Sequence, residues 1–211
     1  MTFKALGTAL FAALTLLLSM QPSSARTLNI VAFGDSLTAG YQLAPEEAFP
    51  AQLEALAKSR GHDVAISNAG VSGDTTADGL ARIDWSIPDG TDGVILELGA
   101  NDALRGLSPE ESRKNLEAMI TRLWERKIPV LLAGILAPPN MGADYEVRFN
   151  AIYKDLAEKH ALPLYPFFLD GVAAVPAMQL EDGMHPNGAG TKTMAGKFLP
   201  VFETFLKSLP Q

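Results

Sequence analysis

In V-A-F-G-D-S-L-T-A-G-Y (31–41) a short apolar run breaks at a glycine and delivers an aspartate and then Ser36 before any helix can begin. A hydroxyl so placed can attack a carbonyl, cradle an anion or cap the helix, and the stretch alone does not choose among these. A serine nucleophile needs a base, and the chain has three histidines. His62 stands in the turn R-G-H-D and His160 at the helix end E-K-H-A-L-P, where a cation suits the helix dipole; both read as structural. His185 differs, because Asp182 precedes it by three residues in D-G-M-H-P-N (182–187). Residues i and i+3 of one turn share a face, so Asp182 can accept from one ring nitrogen while the other faces a substrate.

Acyl transfer from a serine also needs N–H donors aimed at the tetrahedral oxyanion, each worth about 10²–10³ in rate in one protease series. Ser36 offers its own backbone N–H if it opens a helix. Gly73, in G-V-S-G-D-T-T (70–76), has no side chain to block close approach. Asn101, in G-A-N-D (99–102), can add a side-chain amide. Taken singly, Gly73 reads as a turn glycine and Asn101 as a loop cap. Two further carboxylates near the serine, Asp35 and Asp102, read as braces that hold their loops through backbone hydrogen bonds.

These residues become one site only if the elements bring them to one edge. Short aliphatic runs mark strands at Leu28–Phe33, Val64–Ser67, Val94–Leu98, Val130–Leu136 and Leu162–Phe167. They are mostly continuous rather than alternating, which implies burial on both faces and hence a parallel sheet between helices. The clearest helix signal is S-P-E-E (108–111), with a capping serine, a proline at the first position and a glutamate three residues after the cap. Leu116, Met119, Ile120, Leu123 and Trp124 follow at the spacing of a helix laid on a sheet. Segments 46–60, 74–84, 145–160 and 188–207 are also helix-like, with Pro50 and Pro200 expected to shorten or kink two of them. Five β-α units predict a three-layer α/β/α sandwich of flavodoxin-like strand order 2-1-3-4-5, in which ligands gather at the carboxyl ends of the strands. G-D-S-L, G-V-S-G-D, G-A-N-D and the distant D-G-M-H all follow strands at that edge.

Composition narrows the function classes. Lys4, the apolar stretch 5–20 and Q-P-S-S-A (21–25) predict a secretory leader over residues 1–25, with the domain at 26–211 and a periplasmic or secreted destination. The apolar stretch falls short of a bilayer span, so no membrane anchor is expected. The chain lacks cysteine, which removes thiol nucleophiles and thiolate metal sites. A formal net charge of −7 with no Lys/Arg cluster argues against nucleic acid as a partner. Nothing in the sequence demands more than a monomer.

The four strand-end motifs, with G-D-S-L at 34–37, Gly73 in its block, G-A-N-D at 99–102 and D-G-M-H-P-N at 182–187, resemble the four blocks of the SGNH or GDSL hydrolases in order and spacing. F-G-D-S-L-T-A-G-Y, N-A-G-V-S-G-D-T-T and L-E-L-G-A-N-D-A-L-R-G resemble most the bacterial periplasmic multifunctional subgroup of acyl-CoA thioesterase I, lysophospholipase and arylesterase activities. The resemblance implies Ser36 as nucleophile, His185 as base, Asp182 as its orienter, and an oxyanion hole from the Ser36 amide, Gly73 and Asn101. It implies no metal or organic cofactor. The substrate expected is a small acyl ester or thioester. A-P-P-N-M-G-A-D-Y (137–145) leaves the same edge after the fourth strand, and its Met141 and Tyr145 are candidates for an acyl-chain wall. Three rival readings stand beside this one. A carbohydrate acetylesterase needs an open polar cleft, and a flavodoxin-like anion-binding module leaves the Asp182/His185 pair without a role. A metal site from Asp35, Asp74, Asp102 and His185 has no support from spacing.

Overall fold

The computed structural model describes residues 26–210, so the expected leader at 1–25 lies outside the described residues. The chain runs β1 (Leu28–Gly34), α1 (Ser36–Ala39), α2 (Phe49–Ser59), β2 (Val64–Gly70), α3 (Thr76–Ser86), β3 (Gly93–Glu97), α4 (Ala100–Leu104), α5 (Pro109–Glu125), β4 (Val130–Ala133), α6 (Ala143–His160), β5 (Leu164–Tyr165) and α7 (Gly188–Ser208). The sheet has the order β2-β1-β3-β4-β5 and every pairing is parallel. This is the α/β sandwich that the continuous apolar runs imply. β3 and β4 are buried along their whole length, and β1 at all but one residue, as strands covered on both faces must be.

Where the expected bounds differ, proline and glycine explain it. The run Leu162–Phe167 pairs over only two residues because Pro163 and Pro166 flank the pair and lack the N–H a ladder needs. β4 stops at Ala133 because the next residue, Gly134, turns to accept from Phe168 N–H, with the Pro166 carbonyl in the space a Cβ would fill. Pro50 sits in the first turn of α2 and delays its start to Phe49, as expected. Pro200 does not end α7, which continues to Ser208. Burial of Phe198, Phe202 and Phe205 along that helix outweighs the missing backbone bond. α5 starts on Ser108, whose hydroxyl oxygen accepts from Glu111 N–H. Leu116, Met119, Ile120 and Leu123 of its stripe are fully buried. Trp124 is not a core residue: it is 50% exposed and packs edge-on against the His160 ring at the end of α6. At the margin of the stripe, a side chain that large reaches the neighbouring helix rather than the sheet.

Candidate active site

Ser36 is the first residue of α1, but it does not cap it. Asp35 does, accepting from Leu37 N–H at 2.9 Å, which leaves the Ser36 hydroxyl uncommitted to the helix. The serine is 9% exposed. Its Oγ lies 2.9 Å from His185 Nε2, and His185 Nδ1 lies 2.7 Å from Asp182 Oδ2. The other Asp182 oxygen accepts the backbone N–H groups of Met184 and His185 at 2.9 and 3.0 Å. Burial pushes the Asp182 carboxyl up, but these three donors outweigh it and hold the group down at about 2. With Asp182 ionised, the proton of a neutral imidazole belongs on Nδ1, so Nε2 is the acceptor turned to the serine.

The loop presenting His185 is built for rigidity. Leu180 N–H donates to the His185 carbonyl at 2.8 Å, and Gly183 takes the left-handed conformation (φ 67°) that tightens the turn. Asn187 caps α7 by accepting from Gly190 N–H and donates from its amide to the Ala177 and Gln179 carbonyls. The Tyr41 ring covers the imidazole, with centroids 4.5 Å apart and planes tilted by 37°. Tyr41 closes the serine stretch in sequence, yet no local pattern marks it as a partner of a ring near the other end of the chain.

The expected oxyanion donors come from three strand ends. Gly73 has φ 90°, a conformation that favours glycine, and its carbonyl accepts from Arg105 Nη2 at 2.9 Å. Neither the Ser36 nor the Gly73 backbone N–H donates to another group among the described residues. Asn101 lies in the first turn of α4, and its Nδ2 reaches the Asp74 carbonyl at 3.0 Å and Asp35 Oδ2 at 3.3 Å. It therefore ties the loops after β1, β2 and β3 together.

The aspartates around the serine are each held by hydrogen-bond donors, and Asp74 also by a cation. Asp102 accepts from Thr76 N–H, the Thr76 hydroxyl and the Ser112 hydroxyl, so it braces the loops by hydrogen bonds, one of them from the backbone. Burial raises the Asp35 carboxyl to about 7 against hydrogen bonds from Leu37 N–H and Asn101. Asp74 is paired with Arg82, whose guanidinium also donates to the Gly34 and Ala69 carbonyls and lies 4.0 Å from the centre of the Phe33 ring. Arg82 thus clamps the carboxyl ends of β1 and β2. Within α3 it reads from sequence as an ordinary helix-surface arginine.

The loop residues proposed as a wall are partly committed elsewhere. Tyr145 stacks on Phe149 and donates to the Leu107 carbonyl at 2.9 Å. Met141 ends a 3₁₀ turn and abuts Gly106. Both lean on the turn that follows α4, the helix of Asn101. The other histidines pair with surface glutamates, His62 with Glu203 at 3.2 Å and His160 with Glu117 at 2.9 Å. His62→Gln and His160→Gln are expected to keep ester turnover within about twofold of wild type, since such pairs contribute little. A tenfold loss in either would place the base elsewhere than His185.

Comparison with known proteins identifies the family. The model of the GDSL-like lipase/acylhydrolase family matches residues 32–193. The arylesterase of Vibrio mimicus is 39% identical over 174 residues, 82% of this chain and 87% of that protein. Thioesterase 1/protease 1/lysophospholipase L1 of Escherichia coli is 37% identical over 81% of this chain and 80% of its own length. The crystal structure of AlinE4, an SGNH-hydrolase family esterase, superposes with a TM-score of 0.73 at 47% identity, covering 90% of this chain and all of that one. The chain belongs to the GDSL-like lipase/acylhydrolase family and is a hydrolase of ester bonds.

Proposed function

We propose that the chain cleaves small carboxylic esters and thioesters through an acyl-enzyme on Ser36. The observation that carries this reading is the unbroken Asp182–His185–Ser36 chain at 2.7 and 2.9 Å. His185 Nε2 takes the hydroxyl proton as Oγ attacks the carbonyl carbon. The tetrahedral oxyanion then meets the amides of Ser36 and Gly73 and the side chain of Asn101, which gives up its long 3.3 Å contact with Asp35 to donate there. Collapse expels the alcohol or thiol, which leaves with the proton from His185, and water repeats the cycle on the acyl-enzyme. Labelling with a fluorophosphonate followed by peptide mapping tests the assignment: the adduct is expected on Ser36, and an adduct elsewhere, or none, ends it.

The thioesterase and lysophospholipase named among the relatives support the wider substrate range. The loop 138–144 is expected to set acyl-length preference by the way Met141 and Tyr145 back the turn after α4. Shortening it shifts the chain-length profile of a p-nitrophenyl ester series; an unchanged profile would remove the loop from specificity. The leader expected at residues 1–25 supports a working place outside the cytoplasm. Among the described residues no helix is long and apolar enough to cross a membrane.

A further inference from the structure

A carboxyl group that the reaction does not use lies directly behind the serine turn. Glu97, the last residue of β3, is wholly buried. Its Oε2 accepts from the Asp35 backbone N–H at 3.3 Å and from the Thr38 hydroxyl at 2.7 Å. Asp35 and Thr38 stand on either side of Ser36. The opposite oxygen, Oε1, is buried with no partner, and among the described residues no cation pairs with Glu97. Arg82, which serves the same strand ends, is engaged by Asp74 and two carbonyls. A charged carboxylate so placed, beside Asp35, is disfavoured far more than the neutral acid.

The glycine of G-D-S-L belongs to the same arrangement. A Cβ on Gly34 would collide with Thr38 Oγ1, Glu97 Oε2 and the Glu97 carbonyl. The strand can pass only if residue 34 has no side chain, and what it makes room for is this contact. Burial first, and then the Asp35 charge, push the Glu97 carboxyl well above the usual range. Tyr153, Asp74 and Asp102 are the other titratable groups acting on the pair.

We propose that Glu97 is a positioning residue: as the neutral acid it holds both flanks of the D-S-L-T turn and so fixes the direction of the Ser36 N–H and hydroxyl. This rests on the reading of Ser36 as nucleophile. Displacing a reacting group by about 1 Å costs on the order of 10²-fold in rate, and a turn held at two points has the leverage to do that.

The test compares Glu97→Met, Glu97→Gln and Thr38→Val, the last removing one anchor while leaving the carboxyl in place. Reactive serines are counted by fluorophosphonate titration, so that kcat is expressed per competent site and partial unfolding does not enter. Glu97→Met is expected to lower kcat per site about 30-fold with KM within about threefold. Glu97→Gln is expected to restore it to within about threefold of wild type, and Thr38→Val to lower it about fivefold. Wild-type kcat per site in Glu97→Met or Thr38→Val overturns the proposal, as does a Gln variant as slow as the Met variant. If Glu97→Met does not fold, Thr38→Val decides by itself. Absence of label on wild-type Ser36 instead overturns the nucleophile assignment, so the two failures are distinct.

Discussion

Ser36→Ala yields a folded protein whose ester turnover is lower by about 10⁴-fold or more, the scale seen when a serine nucleophile is removed from a complete triad. The fold survives because Ser36 carries no structural duty that alanine lacks. Asp35, not Ser36, caps α1, and alanine suits the first turn of a helix. Alanine forgoes the hydrogen bond between the serine hydroxyl and His185, worth about 1 kcal/mol net. Hydrolysis of a p-nitrophenyl ester and a thermal melt on the same sample separate the two effects. A variant that keeps a tenth of the rate would show that another group attacks the carbonyl.

Asp182→Asn costs about 10³-fold in kcat. A triad aspartate that is buried is worth about 10⁴, because its amide substitute forces the wrong tautomer on the imidazole. Here the Asp182 side chain is 30% exposed, so water can take over part of its work. Asn can still accept from Met184 and His185 N–H, so the turn itself persists. The pH dependence has a definite sign. The folded-state carboxyl sits at about 2, below its unfolded value, so its contribution is fully present above about pH 4 and is lost as pH falls through about 2. The base must be neutral to accept the Ser36 proton, so activity falls on acidification. Activity that held level until Asp182 itself titrated would exclude His185 as the base. Rate–pH profiles of wild type and Asp182→Asn make the comparison.

The candidate site is legible in the sequence where its chemistry is local. Asp182 and His185 are three positions apart, a spacing that lets the two side chains meet on one turn, but such a pair gains meaning only from its place opposite the serine loop. Gly73 and Asn101 can be named because each follows a strand that ends at the same edge, yet their contacts are not written in those segments. The Asn101 amide joins the loops after β1, β2 and β3 through Asp35 and Asp74. Tyr41, Arg82 and Glu97 escape a reading along the chain because each looks ordinary in its own segment. Arg82 is one polar residue in an amphipathic helix, and Glu97 is one acid in an apolar strand.

The order of residues alone is enough to specify the parallel sheet, its strand order and the edge at which chemistry collects. Those properties depend on the continuity of apolar runs, on turn residues and on the right-handedness of crossovers, all of which are short-range rules. It takes the packed molecule to bring Ser36 and His185, 149 positions apart, within 2.9 Å, to make Asp35 rather than Ser36 the cap of α1, and to draw Trp124 out of the core towards His160. One cause underlies all three. A side chain's partner is set by where packed layers place distant backbone, and periodicity along the chain carries no information about that distance.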